Sequence, residues 1–129
     1  MRFLGLLKAD EHSEAGAPPS QELMEKMGPF MEEITKAGVL LATAGLQPSS
    51  KGARVRLSAG NVTVIDGPFA ETKEVIASYA LLEAKSMAEA IQWTARFLEV
   101  LGEGECEIRP LYEEGDFGEG APASCSAAH

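Results

Sequence analysis

Residues 2–8 read RFLGLLK, an apolar run that ends in a charged residue, Lys8. A short run of this kind, without helical spacing, is typical of a strand that is buried on both faces of a sheet. Residues 75–84, VIASYALLEA, form a second long apolar run with Tyr79 near its middle. The two runs predict the central strands of one sheet, around which the other elements must pack.

The segment between these strands predicts a loop, a helix and a third strand. Residues 10–19 contain a glycine and two prolines, which favour a loop. Ser20 then caps a helix whose apolar side chains recur at helical spacing, namely Leu23, Met27, Phe30, Met31 and Ile34. Pro29 lies inside this pattern and predicts either a kink or two short helices. Gly38 suits the end of the helix, and residues 39–44 follow as a strand.

A β-hairpin is predicted after the third strand. Residues 54–57 alternate arginine with apolar side chains, Gly60-Asn61 favours a turn, and residues 62–65 return. Because the alternation puts Arg54 and Arg56 on one face, the pair could bind a carboxylate or phosphate. Ordinary exposure of charged side chains to solvent is the simpler explanation of the same pattern.

The rest of the chain predicts a second helix and a last strand. Ser86 and Glu89 form a capping box, and Gly102 ends the helix. The last strand carries apolar or small side chains at Cys106, Ile108 and Leu111. The element order is therefore β-α-β, an inserted hairpin, then β-α-β.

This order predicts the fold class. Two helices are too few to cover both faces of the sheet, so both are expected on one face, in an α+β sandwich of ferredoxin-like type with an inserted β-hairpin. The opposite sheet face would then be open, and an open apolar face needs a partner. A homodimer that pairs the two sheets face to face is the simplest solution.

The charge balance excludes one class of partner. The 129 residues include 20 Asp and Glu against 11 Lys and Arg, a formal net charge of −9. Phosphate binding needs a local excess of basic side chains, so no nucleic-acid partner is predicted.

Motifs for metals, cofactors and membranes are also missing. Cys106 and Cys125 stand without a CxxC spacing or a paired histidine, which argues against a disulfide framework or a zinc site. No GxGxxG, P-loop, HExxH or GxSxG pattern occurs, so no cofactor is predicted. The apolar start is too short for a signal peptide or a membrane span, and we expect a soluble, cytoplasmic protein.

The densest polar stretch is residues 66–74, DGPFAETKE, directly after the hairpin. One interpretation is functional: Asp66, with Glu71 and Lys73 nearby, points into a pocket beside the sheet. The other is structural: Asp66 accepts hydrogen bonds from its own turn, and the later charges are solvated. Spacing alone favours the structural interpretation.

Three further side chains are candidates for ligand binding. Lys8 and Asp10 lie where a central strand ends, a position from which loops often carry function. Tyr79 in the second central strand could donate a hydrogen bond to a ligand, although a buried tyrosine with a satisfied hydroxyl is commoner. The histidine closest to this strand end is His12, in an acidic loop where exposure to solvent is the simpler expectation.

The string DGPFAETKE resembles the signature of the DGPF group within the YCII-related superfamily. The resemblance also takes in the strand at residues 2–8, the junction at residues 37–40, the segment GLQP at residues 45–48 and the segment EIRP at residues 107–110. It covers residues 1–112, which are predicted to form one domain followed by a tail at residues 113–129.

The resemblance implies a ferredoxin-like fold of the dimeric α/β-barrel type, which dimerises through its sheets. Members of the superfamily carry a His and Asp pair proposed as an active site, and Asp66 matches the Asp of the group's own motif. No histidine lies in the first strand, where that of the family is expected, so His12 is the nearest substitute.

Two functions follow from the resemblance. The first is a small-molecule-binding or lyase-like enzyme module with a site near Asp66, because some relatives are lyase-like or dehalogenating enzymes acting on small aromatic compounds. Predicted site residues are catalytic Asp66 and His12, and ligand-binding Lys8, Asp10, Tyr79 and Lys73. The second is a non-enzymatic regulatory or interaction module associated with an extracytoplasmic-function sigma factor, near whose genes many DGPF proteins are encoded.

The acidic residues cluster toward the end of the chain. Eight of the 20 fall within residues 99–129, whereas Lys51, Arg54 and Arg56 gather at the hairpin. The tail is rich in Gly, Ala and Ser, a composition that favours flexibility. Charge complementarity between the tail and the hairpin, within or between subunits, is predicted to order it.

Overall fold

The computed structural model describes residues 1–70 and 74–116. Its elements are β1 (Arg2–Lys8), α1 (Glu11–Glu14), α2 (Gln21–Lys36), β2 (Leu40–Gly45), a 3-10 turn (Ser49–Lys51), β3 (Ala53–Ser58), β4 (Asn61–Asp66), β5 (Ile76–Glu83), α3 (Met87–Leu101) and β6 (Cys106–Pro110). Within these ranges, no helix is long and apolar enough to cross a membrane. Glu71, Lys73 and the tail from residue 117 lie outside the described residues.

Four strands form one antiparallel sheet in the order β2-β5-β1-β6. The first strand is central, and the two β-α-β halves interleave around it, which is the ferredoxin-like arrangement. The strands β3 and β4 pair only with each other, as a ribbon inserted between the halves. The predicted α+β fold of ferredoxin-like type with an inserted hairpin is therefore confirmed.

Both long helices lie on one face of the sheet, as predicted. Phe3 and Leu82 of the sheet pack in one buried cluster with Phe30 and Ile34 of α2 and Ala90 of α3. Phe3 is completely buried, and removing a phenylalanine side chain of this size from water stabilises a fold by about 3 kcal/mol.

The side chains that face the helices change in size along the strands. The register of β1 and β5 opposes Phe3 to Leu82 and, further along, Gly5 to Ala80. Residues two apart on a strand share a face, so both pairs lie beneath the helices. The large pair fills one end of the helix–sheet layer, whereas the small pair leaves space at the other.

The two long helices begin at the predicted caps. The Ser20 hydroxyl accepts the Leu23 N–H at 3.1 Å, and the Ser86 hydroxyl accepts the Glu89 N–H at 3.2 Å. These bonds satisfy amides that have no partner inside a first turn. The Glu89 carboxylate accepts from the N–H of Lys85 at 3.1 Å, one residue before the partner that the capping box predicts.

Two local predictions were wrong. The predicted loop at residues 10–19 contains the short helix α1, because Asp10 and Ser13 each accept a hydrogen bond from the backbone N–H of the other. The alternative of two short helices around Pro29 is also wrong, since α2 is assigned as one helix across it. The buried side chains after the proline, Phe30 and Ile34, keep the second half of α2 docked on the sheet.

The ribbon turns one residue earlier than predicted. Its central residues are Ala59 and Gly60, with φ values of 52° and 81°. Positive φ at both positions matches the twist of a two-residue hairpin. One face of the ribbon is apolar and 59–70% exposed, through Val55, Leu57, Val62 and Val64.

Candidate functional site

The segment Asp66–Phe69, called here the DGPF turn, packs directly on the 3-10 turn. The Gly67 N–H donates to the Gly52 carbonyl oxygen at 3.0 Å, and the Gly67-Pro68 peptide bond is cis. A Cβ atom at Gly67 would lie only 1.7 Å from the Ser49 carbonyl oxygen. Glycine is therefore required at this position, because the two backbones meet where a side chain would begin.

Ser49 joins three segments of the chain. Its N–H donates to Glu14 Oε1 at 2.9 Å, and its hydroxyl donates to the other oxygen of the same carboxylate. The hydroxyl oxygen in turn accepts the N–H of Phe69 at 3.1 Å. The hydrogen bond from the Ser49 hydroxyl lowers the pKa of Glu14, so this carboxylate is charged at neutral pH. The contacts link α1, the 3-10 turn and the DGPF turn.

Beside these contacts is an open groove of about 550 Å³, called here the DGPF groove. Its floor and walls are Leu46, Gln47, Pro48, Ser49, Lys51, Gly52, Arg54, Phe69, Glu74, Val75 and Ile76. The Arg54 guanidinium carbon lies 3.9 Å from the centroid of the Phe69 ring, a cation–π contact. Stacking fixes the guanidinium plane, and no other described residue accepts a hydrogen bond from its N–H edges.

The groove has a different charge balance from the whole chain. Among the described residues, its ionisable lining side chains are Lys51, Arg54 and Glu74, two positive and one negative, which gives 2 − 1 = +1. The chain as a whole carries −9. Apolar contact is provided by the Phe69 ring and by Val75 and Ile76. The groove is therefore suited to a small anion with an apolar part.

Asp66 lies at the end of β4 and outside the set of groove-lining residues. The ribbon register opposes it to Ala53, whereas Arg54 is opposed to Ile65 on the other face. The Asp66 side chain is exposed and makes no hydrogen bond or ion pair with another described residue. Its catalytic role stays a prediction.

Lys8 and Tyr79 lie on the sheet face that the helices leave open. Tyr79 is opposed to Leu6 and is 37% exposed. Lys8 Nζ forms an ion pair with Glu107 Oε1 at 3.5 Å. A hydrogen bond from Arg109 and the charge of Lys8 lower the pKa of Glu107. These two candidates are on a surface separate from the DGPF groove.

Asp10 and His12 are at the short helix α1. Asp10 Oδ1 accepts the Ser13 N–H at 2.8 Å, and this hydrogen bond lowers the pKa of the Asp10 carboxyl. Its observed contacts are those of a helix cap, and His12 is exposed on the same helix. Those of the predicted site residues that the structure describes thus occupy three places rather than one pocket.

Sequence reasoning missed Glu14 and Ser49. The two are 35 positions apart, and neither belongs to a recognisable motif. The sequence did carry a signal for the groove. Side chains alternate between the two faces of a ribbon, and a two-residue turn after residue 58 pairs Asp66 with Ala53. Arg54, the next residue, therefore lies on the opposite face from Asp66.

Comparison with known families identifies residues 1–114 as a YCII-related domain. The chain belongs to the YCII-related family. An uncharacterized protein of Rhizobium meliloti (strain 1021) is 36% identical over 100 residues, which cover 74% of this chain and 80% of that protein. The resemblance noted from the DGPF string is therefore confirmed at the level of the family.

A solved structure is also similar to this YCII-related chain. It is 5-chloro-2-hydroxyhydroquinone dehydrochlorinase from Burkholderia phenoliruptrix, in complex with 2,5-dihydroxybenzoquinone. The match has a TM-score of 0.47 at 14% identity and covers 92% of this chain and 100% of that chain.

Proposed function

We propose that this YCII-related protein is a small-molecule-binding or lyase-like enzyme module, and that its DGPF groove binds a small carboxylate with an apolar or aromatic part. The observation that carries the proposal is the Arg54 guanidinium stacked on Phe69, next to Lys51, in a chain that is otherwise strongly acidic. Arginine presents paired N–H donors that match the two oxygens of a carboxylate.

The apolar lining supports a ligand with a ring rather than a simple ion. Phe69 is half-buried, and Val75 and Ile76 lie across the same groove. Contact with these side chains contributes affinity in proportion to the apolar area that is removed from water. Arg54 then orients the carboxylate, so binding and orientation come from different parts of the groove.

Benzoate is the simplest probe of this proposal, since it combines one ring with one carboxylate. Isothermal titration of benzoate is expected to show binding that Arg54→Ala weakens by about tenfold, the size of a lost charged hydrogen bond. Arg56→Ala is the matched control, because Arg56 shares the ribbon face but does not line the groove. Equal weakening by both substitutions would show a general charge effect and would overturn the proposal.

Asp66→Asn decides whether the predicted catalytic carboxylate contributes to binding. Because Asp66 and Arg54 lie on opposite ribbon faces, we expect the substitution to leave benzoate affinity unchanged. A role of Asp66 and His12 in a lyase-like reaction would then appear only in turnover. Weaker benzoate binding would instead place Asp66 in the ligand site.

We also propose that the protein forms a homodimer through the open sheet face. Leu4, Leu6 and Leu81 are only half-buried there, beside Tyr79. Apolar side chains in adjacent rows of a sheet are stabilised by a second sheet packed on them. Leu6→Glu is expected to convert a dimer into a monomer in analytical ultracentrifugation. Met24→Glu, at an exposed position on α2, is expected to leave the dimer intact.

The sigma-factor association stays a prediction. The names of the matched family and of the Rhizobium relative mention no sigma factor. Retention of the neighbouring sigma factor in a pull-down at moderate salt would favour it, and no retention would count against it.

A further inference from the structure

A second space lies between the helices and the sheet. It is a cavity of about 100 Å³ with walls from Gly5, Ser78 and Ala80 of the sheet and Phe30, Trp93 and Phe97 of the helices. It shares no lining residue with the DGPF groove. The two spaces can therefore be tested independently.

Small side chains explain why the cavity exists. Gly5 is opposed to Ala80 in the register of β1 and β5, directly beneath the two helices. A Cβ atom at Gly5 would have only the Ala80 carbonyl oxygen near it, at an ordinary contact distance of 3.8 Å. Nothing in the described structure occupies the space that a larger pair would fill, unlike the Phe3 and Leu82 pair one row away.

The helix side of the cavity is a wall of aromatic rings. The centroid of Phe30 is 6.2 Å from that of Trp93 and 6.4 Å from that of Phe97, in tilted arrangements. Arg96 lies over the Trp93 ring at 4.9 Å, and both of its terminal nitrogens donate to Glu33 at 2.7 Å. These contacts hold the rings in place at the junction of α2 and α3.

Two hydroxyl groups in the wall have protein partners, whereas the Ser78 hydroxyl has none among the described residues. The Thr43 hydroxyl donates to the Tyr79 carbonyl oxygen, and the Thr94 hydroxyl to that of Ala90, both at 2.8 Å. Burial raises the pKa of the Cys106 thiol, which keeps it neutral. No buried side-chain N or O atom in the described ranges lacks a partner. A water molecule needs two to four polar partners, and the Ser78 hydroxyl is only one, so this wall favours an apolar occupant.

We propose that this cavity is a binding site for an uncharged, apolar molecule with a single ring. An engineered cavity of about 150 Å³ with a similar aliphatic and aromatic lining stays dry and binds benzene. The space here is of the same order, and its aromatic wall presents ring edges and faces to such a guest. Charged ligands are excluded, because the wall offers no charged group and a single hydroxyl, that of Ser78, to replace water.

Trp93 gives a direct test, because it is the single tryptophan of the sequence and lines the cavity. Bromobenzene quenches tryptophan fluorescence through its heavy atom and is the probe. We expect quenching that saturates with concentration, together with a rise in the melting temperature. Ala80→Leu fills the cavity, and it should weaken the saturable component by about tenfold or more.

Matched variants keep the test decisive. Ala95→Leu makes the same substitution on the exposed side of α3 and should leave the saturable quenching unchanged. Ser78→Val is a smaller filling substitution for use if Ala80→Leu does not fold. Arg54→Ala, in the DGPF groove, should also leave bromobenzene binding unchanged. Quenching that rises linearly in the native protein, or that saturates equally in a folded filled variant, would overturn the proposal.

Discussion

The DGPF turn and the helix–sheet layer use glycine in opposite ways. At Gly67 the missing side chain lets another backbone approach, so that a Cβ atom would lie 1.7 Å from the Ser49 carbonyl oxygen. At Gly5 the missing side chain leaves room, and the nearest atom would be at 3.8 Å. Gly67 lets two backbone segments meet beside the polar groove, whereas Gly5 leaves unfilled space in the apolar cavity. Substituting each position distinguishes these two roles.

Gly67→Ala is expected to have the largest effect. The added methyl group overlaps with the 3-10 turn, so the turn must move and the bonds of Ser49 are disturbed. The expected loss in free energy of unfolding is about 3 kcal/mol, the upper end of ordinary overpacking costs. Urea denaturation measures it. Gly45→Ala is the control, because a Cβ atom there meets nothing within 4 Å; an equal loss at both positions would contradict the close-approach argument.

A pair of Ala→Val substitutions compares the filled and unfilled ends of the helix–sheet layer. Ala84 is 4% exposed and belongs to the closed core, so its enlargement should cost about 1–3 kcal/mol. Ala80 lines the cavity, where the added methyl groups should instead stabilise the protein by about 0.5–1 kcal/mol. Chemical denaturation of the two variants gives the difference. The same sign at both sites would show that the layer is uniformly packed.

Gly5→Ala should give a smaller stabilisation. Its methyl group enters the cavity without a clash, and alanine restricts the unfolded chain more than glycine does. We expect a gain of about 0.5 kcal/mol in thermal denaturation, within the range for compatible Gly→Ala changes. A loss of stability would mean that the backbone of β1 needs glycine for a reason other than space.

The smallest effect is expected from the Glu14 carboxylate. Its pKa is lowered in the folded state from an ordinary value of 4.5, chiefly by the Ser49 hydroxyl. A depressed pKa stabilises the fold above that ordinary value, and the contribution is lost as the pH falls through the folded-state pKa. Glu14→Gln should therefore reduce the decline of melting temperature in acid. Glu11→Gln, on the same helix, is the control, and an identical slope in both variants would exclude the Ser49 contact as the cause.

The sequence predicts much of the frame because its signals are local. Short apolar runs identify the strands at residues 2–8 and 75–84, and the cap with helical spacing identifies the helix after Ser20. The count of helices predicts one covered face. The short helix α1 was not predicted, because its capping residues, Asp10 and Ser13, lie in a segment whose glycine and two prolines favour a loop.

The site is harder to predict because it depends on contacts between distant segments. The contact between Glu14 and Ser49 joins positions 35 apart, and no local pattern indicates it. The motif did lead to the correct neighbourhood, since Phe69 lines the DGPF groove. It directed attention to Asp66 rather than Arg54, although alternation along β3 and β4 already separates the two faces.

We propose that the DGPF groove and the helix–sheet cavity are two distinct small-molecule sites, one polar and one apolar. The test is to titrate benzoate and bromobenzene separately into the native protein and into the Arg54→Ala and Ala80→Leu variants. We expect Arg54→Ala to weaken only benzoate binding and Ala80→Leu to weaken only bromobenzene binding, each by about tenfold. A single substitution that weakens both probes equally, in variants that remain folded, would contradict it.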